Sequence, residues 1–288
     1  MKNKITHIRQ NSKNNPNINK SYSFREDLVK KEVFGVGITY ASKNEILEYI
    51  VDFIKNTDKN CYITTPNPEM IVYAKDHEDF KAILNNSEIA LLDGAGLSIG
   101  ARVVGKGLKE RFTGVELVQK LCEKVSNQPI TVGFLGGRDG VAEKTANCLQ
   151  KMHPMLKVSF VGEEWEEFGF RSVANYMGPN SSDQTRKEGR IQNTKYKILN
   201  TIDILFIAFG FPKQEEWMAK HLNKIPVRVM VGVGGAFDYL SGKVPRAPYW
   251  VQNIGMEWAF RLVLQPWRFR RQLALPKFLW MVIRERLK

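Results

Sequence analysis

Two stretches decide the fold: Cys61-Tyr62-Ile63-Thr64-Thr65-Pro66-Asn67-Pro68-Glu69 and Ile89-Ala90-Leu91-Leu92-Asp93-Gly94-Ala95-Gly96. Each is a short apolar run that ends in small, polar, turn-forming residues just before a helical pattern. Bounded apolar runs of this length read as buried strands. In an open α/β sheet such strand-to-helix turns lie at the carboxyl ends of the strands, where ligands bind. The two turns bring a hydroxyl, an amide and a carboxylate to one end of the sheet, and Asp93 is the natural candidate for a base.

The same pattern recurs outward from these two stretches. Val33–Tyr40 reads as a first strand, and further runs follow at Ile130–Leu135, Val158–Gly162, Ile204–Phe209 and Val227–Val233. Helical periodicity lies between them at Lys43–Lys55, Val115–Val125, Val141–Met152 and Lys213–Leu222. Strands that alternate with helices predict an α/β fold: a Rossmann-like, largely parallel sheet core with helices on both faces. No internal repeat is present. Past Pro245 the character changes. Trp250, Trp258, Trp267 and Trp280 crowd among phenylalanines and arginines, and Pro266 and Pro276 are expected to divide the segment into short helical pieces. Three regions result: a basic, disordered leader over 1–31, a core over 32–245, and a C-terminal helical basic and aromatic appendage over 246–288.

Charge follows these divisions. The net charge of the 288 residues is +13, and it is concentrated at the ends: +6 in residues 1–31, +7 in residues 246–288, and zero between them. A neutral body with basic ends points to a catalytic core with electrostatic tethers, and away from a surface that grips nucleic acid throughout. Cys61, Cys122 and Cys148 lack metal-ligand spacing and read as thiols of a reducing compartment. The amino terminus has no apolar stretch of the secretory kind, and no run is long enough to span a bilayer. The expected location is the cytoplasm.

Each candidate residue has a functional and a structural reading. Asp93 is either a general base or the cap of the next helix. Thr65 and Asn67, stiffened by Pro66, can hold sugar or phosphate oxygens, or Asn67 can simply cap its helix. The run Gly133-Phe134-Leu135-Gly136-Gly137-Arg138-Asp139-Gly140 follows a strand and opens a helix, so Gly136 and Gly137 can offer backbone N–H groups to a diphosphate. Glu163, past the next strand, can accept a ribose hydroxyl or belong to an exposed acidic turn. Gln214 and Glu215 open another helix, where Gln214 can face the crevice and Glu215 can merely complement the helix dipole. Asp238, after a glycine-rich strand exit, can touch a nucleotide or cap a helix. Arg111 can bind a diphosphate in bidentate fashion or stand solvated at the surface. There is no D-x-D pair, no histidine cluster and no G-x-S-x-G elbow, so metal-independent chemistry is expected and an α/β-hydrolase is disfavoured.

Taken in order, several motifs resemble the WecG/TagA/CpsF family of bacterial glycosyltransferases. They are TPNPEM (65–70), LLDGAGLSIG (91–100), ERFTG (110–114), GFLGGRDG (133–140), FGFPKQEEW (209–217), VGVGGAFDYLSGKVPRAP (231–248) and WVQNIGMEWAFRL (250–262). The resemblance implies an inverting, metal-independent transfer of a sugar from a UDP-sugar, with no cofactor. The expected sugar is N-acetylmannosamine or its uronic acid, and the expected acceptor a polyprenyl-diphosphate-linked N-acetylglucosamine. It puts the catalytic carboxylate on Asp93 and substrate contacts on Thr65, Asn67, Arg111 and Gln214. It also gives the appendage a purpose: Arg261, Arg268, Arg270 and Arg271 are expected to meet the lipid diphosphate while tryptophans settle at an anionic membrane surface. A homo-oligomer is compatible with the sequence and not required by it. Two other readings stay open at this point. One is an NAD-type oxidoreductase built on Gly136, Gly137 and Glu163. The other is a non-enzymatic module that binds nucleic acid or membranes through its basic ends.

Overall fold

The computed structural model describes residues 28–165 and 201–287. The leader over residues 1–27 and the end of the acidic turn at Glu166 and Glu167 lie outside them. In chain order the strands are β1 (Lys30–Val33), β2 (Val36–Thr39), β3 (Cys61–Thr64), β4 (Ile89–Ala90), β5 (Thr131–Gly136), β6 (Lys157–Gly162), β7 (Ile202–Ala208) and β8 (Val227–Gly232). The helices of the core are α1 (Lys43–Asn56), α2 (Pro68–Asp76), α3 (Glu78–Asn85), α4 (Ala95–Val103), α5 (Gly114–Val125), α6 (Val141–Met152), α7 (Lys213–His221) and α8 (Ala236–Leu240). The appendage adds α9 (Tyr249–Asn253), α10 (Glu257–Leu264), a 3₁₀ turn at Pro266–Arg268, α11 (Phe269–Gln272) and α12 (Ala274–Arg286).

Strands β3 to β8 form one parallel sheet in the order β4-β3-β8-β7-β5-β6. Strands β3, β5, β7 and β8 are largely apolar on both faces, as a doubly covered parallel sheet requires, whereas the edge strand β6 exposes Lys157 and Ser159. Ile204 and Phe206 pack with α1, α5, α6 and α8 on one face, and Leu205 and Ile207 pack with Met218 and Trp217 of α7 on the other. From β3 the chain crosses to β4 on one side, whereas from β5 it crosses to β6 on the other. The order therefore reverses inside the sheet, and a crevice opens at the carboxyl ends near the reversal.

Three readings from the sequence are adjusted. Val33–Tyr40 is not a single strand: Phe34 and Gly35 take φ values of 53° and 80°, and β1 and β2 pair antiparallel across them. Two successive residues with positive φ are what a two-residue hairpin turn demands. Lys30 and Lys31, counted with the leader, are thereby residues of β1. Pro276 does not divide the appendage, because it falls in the first turn of α12, where its missing N–H costs no helical bond.

Helix α12 returns the appendage to the core. Phe278 and Val282 are buried with Leu97 and Ala101 of α4 and Met70 and Ile71 of α2. Gly100 makes this approach possible: a Cβ there would stand 2.7 Å from Phe278 and 2.9 Å from Val282. Phe278→Ala should cost about 3 kcal/mol of docking energy. Limited trypsin digestion should then cut faster at Lys277 and Arg284 while the melting of the core is unchanged. An unaltered cleavage rate would mean that α12 is held by other contacts.

Candidate active site

A cleft of about 300 Å³ opens at the carboxyl end of the sheet. The exits of β3, β4, β7 and β8 form its walls, and α10 to α12 cover it. Asp93, Thr65, Asn67, Arg111 and Gln214 all line it. Residues far apart in sequence therefore meet in one place.

Asp93 does not cap α4. The N-cap is Gly94, with a φ of 80° and no side-chain bond, and Asp93 Oδ1 accepts the N–H of Gly94 at 2.7 Å. The carboxyl group is half-buried, and desolvation raises its pKa from 3.8 to about 6. The Gly94 bond and the charge of Arg111 oppose that rise, while Glu257 and Glu116 add to it. A carboxylate with a pKa near 6 suits a general base at neutral pH better than an ordinary aspartate does.

The neighbouring turns are held by their own hydrogen bonds. Thr65 Oγ1 donates to the carbonyl of Gly232 at 3.1 Å, which ties the β3 exit to β8. Asn67 caps α2: its Oδ1 accepts the N–H of Met70 at 3.0 Å, and the residue also lines the cleft. Gln214 is buried and its Oε1 accepts the N–H of Gly234 at 2.9 Å. Thr113, beside Arg111, forms a capping box with Glu116 that starts α5 and fixes the loop carrying the arginine.

The appendage supplies positive charge to the cleft through Arg261, Arg268 and Arg271. Arg261 donates to Asp238 at 2.5 Å and lies over the ring of Tyr239. Arg271 grips Glu69 with two nitrogens, at 2.7 and 2.9 Å. Arg268 reaches Asp238 only at 4.0 Å, and burial together with Arg261 and Arg271 lowers its pKa to about 10. It remains charged at neutral pH.

Some expected residues are elsewhere. Arg270 is exposed and outside the cleft, because the turn of α11 that points Arg271 inward points its neighbour outward. Gly136 and Gly137 also lie outside the cleft. A Cβ on Gly136 would meet the Ala208 backbone at 2.9 Å, and one on Gly137 would meet Val141 at 3.0 Å, so both serve close packing. Glu163 accepts the N–H of Gly140 at 2.7 Å and so sits on the start of α6. Asp238 is not in the cleft wall itself but holds Arg261 by a hydrogen bond and lies 4.0 Å from Arg268. Two further carboxylates bear on the site, Glu69 and Glu257. Glu69 stands in the quoted TPNPEM motif, but its partner is 202 residues away, and no local pattern pairs them. Among the described residues no three His, Cys, Asp or Glu side chains gather as metal ligands.

Asp93 is destabilising by the same desolvation that tunes it. Its folded pKa exceeds the unfolded one, so stability is lost as pH rises from about 4 through about 6. Asp93→Asn should therefore be more stable than the parent above pH 7 by about 2 kcal/mol, a figure reduced for partial solvent contact. The gap should close below pH 4. Thermal melting across pH checks this, and a pH-independent difference would refute it.

Comparison with known proteins agrees with the geometry. The profile of the Glycosyl transferase WecG/TagA/CpsF family matches residues 31–288. A Bacillus spizizenii protein named N-acetylglucosaminyldiphosphoundecaprenol N-acetyl-beta-D-mannosaminyltransferase is 30% identical over 79% of this chain and 80% of its own. Proteins of the same name from Bacillus subtilis and Staphylococcus aureus are 26% and 27% identical, over 86% and 92% of this chain and 90% and 96% of theirs. With a cleft at the sheet's carboxyl end, a tuned carboxylate on its floor and a family match over nearly the whole chain, the protein belongs to the WecG/TagA/CpsF family and is a glycosyltransferase.

Proposed function

We propose that the cleft transfers N-acetylmannosamine, or its uronic acid, from a UDP-sugar to a polyprenyl-diphosphate-linked N-acetylglucosamine, with inversion. The names of the relatives support this sugar and acceptor. Asp93 carries the reading: it is the cleft carboxylate raised toward neutrality, with Arg111 close enough to act on its charge. Asp93 takes the proton of the acceptor hydroxyl as that oxygen bonds to the anomeric carbon. The bond from that carbon to the diphosphate oxygen breaks, and UDP departs with the bonding pair. Arg111, Arg261, Arg268 and Arg271 line the cleft and are suited to the negative charge that grows on the diphosphate.

The acceptor is membrane-borne in this reading, and the outer face of the appendage fits a membrane. Trp250, Trp267, Phe269, Trp280, Ile283 and Leu287 are exposed there, beside the exposed Arg270 and Arg284. Aromatic side chains with arginines between them suit the interface of an anionic bilayer. No described helix is long and apolar enough to cross a membrane.

Asp93→Asn should lower acceptor-dependent UDP release by about a hundredfold or more. It should retain UDP binding and lose the rise in rate through pH 6 that base ionisation gives the parent. Near-parental turnover would remove Asp93 as the base. In a separate assay, the chain should cosediment with vesicles containing phosphatidylglycerol and be released by salt, since each basic residue at the surface contributes about 1 kcal/mol. Equal binding to neutral vesicles at high salt would count against electrostatic docking.

A further inference from the structure

Glu215 follows the cleft-lining Gln214 in the first turn of α7, and it is fully buried outside the cleft wall. Its Oε1 accepts a hydrogen bond from Gln214 Nε2 at 2.6 Å, and its Oε2 has no partner. The other end of the Gln214 amide accepts the N–H of Gly234. A side-chain amide has almost the same shape when flipped, so its neighbours decide which end faces which way. An acceptor at Glu215 draws Nε2 toward itself and leaves Oε1 for Gly234.

What Gly234 anchors gives this bond its reach. Gly234, with a φ of 53°, and Gly235 form the turn between β8 and α8, and both line the cleft. The guanidinium of Arg261 rests directly on this turn, because a Cβ on Gly235 would stand 2.5 Å from it. Moving the turn therefore moves the seat of an arginine. Gln214 is itself closely confined: a Cβ on Gly232 would stand 3.0 Å from its Nε2.

We propose that Glu215 is a positioning residue, which accepts from Gln214 to lock the amide that holds the Gly234 N–H and so fixes the glycine turn beneath Arg261. Its effect on nucleotide-sugar binding rests on the transferase reading above, whereas its effect on the turn does not. Burial raises the Glu215 carboxyl to about 7, with Glu216 adding to the rise and Gln214 and Arg271 opposing it. The group acts as an acceptor in either protonation state, so a glutamine carbonyl can replace it and an apolar side chain cannot.

The test compares the full chain with Glu215→Leu, Glu215→Met and Glu215→Gln; the two apolar variants guard against one failing to fold. Amide hydrogen exchange at Gly234 is read first, then KM and kcat with a UDP-sugar. Loss of the acceptor should speed Gly234 exchange about tenfold and raise KM about tenfold, with a smaller fall in kcat. Glu215→Gln should recover most of both effects. Parental Gly234 protection in the apolar variants would overturn the proposal. So would a glutamine variant as impaired as the leucine one, since that would assign the role to charge. A parent chain that neither binds nor consumes any UDP-sugar would sink the transferase reading, and Gly234 exchange alone would then decide the role of Glu215.

Discussion

Two side-chain hydrogen bonds carry the sheet beyond its own ladders, and the cleft depends on them. The backbone pairing of β3 with β8 ends at Ile63 and Val231, and that of β7 with β8 ends at Ile207 and Gly232. Past those points Thr65 bonds to Gly232 and Gln214 to Gly234, adding to the Val233 N–H that donates to the Ile207 carbonyl, so the strand exits stay in register beyond the last paired residues. The β4 exit joins the frame through its backbone, as the Asp93 N–H donates to the Pro66 carbonyl at 3.0 Å. Four turns become one frame, and in a buried setting each bond is worth more than its solvated equivalent. A base and its neighbours can hold their spacing only on such a frame.

Electrostatics in the cleft follow from where carboxylates sit behind arginines. Arg261 and Arg271 are each held by a part-buried acid, so their guanidinium planes are set before anything binds. Preorganised groups spend less of their interaction energy on ordering. Arg268 has the weakest hold on an acid of the three, and burial, with the charges of Arg261 and Arg271, depresses its pKa. Asp93 lines the same cleft under opposing pulls: burial and two acids favour the proton, while a backbone N–H and Arg111 favour the charge. A pKa near 6 is the balance of these terms, which no single neighbour would produce.

The sheet was legible because a parallel strand covered on both faces announces itself as an unbroken apolar run, as Ile204-Leu205-Phe206-Ile207-Ala208 does. Turn chemistry at Thr65–Asn67 and Asp93–Gly94 was legible for a similar reason, since few residue types suit a strand exit. The hairpin at Phe34-Gly35 was not, because phenylalanine is an unusual residue at a positive φ. Gly136 and Gly137 misled in the opposite sense. A glycine pair after a strand signals close approach, but the approaching group is the protein's own backbone and Val141. The clamp between Glu69 and Arg271 and the bearing of Glu257 on Asp93 are products of tertiary folding. Nothing in a linear pattern says that a helix 200 residues later will lie over the first strand exit.

Helix α12 bears most directly on how the appendage is used. A helix that only capped the core would be amphipathic, with its outer side polar. Here Phe278 and Val282 face α2 and α4, yet Leu279, Trp280, Ile283 and Leu287 remain exposed, at 59%, 56%, 50% and 80%. The inner face is satisfied by the core. Trp267 and Phe269 of the preceding turns are exposed as well. Scattered apolar side chains need no explanation, but a run along one surface marks an interaction site. A surface of this kind on the same helices that supply Arg261, Arg268 and Arg271 couples two events. Whatever medium receives the tryptophans also bears on the segment that covers the cleft and supplies its charge.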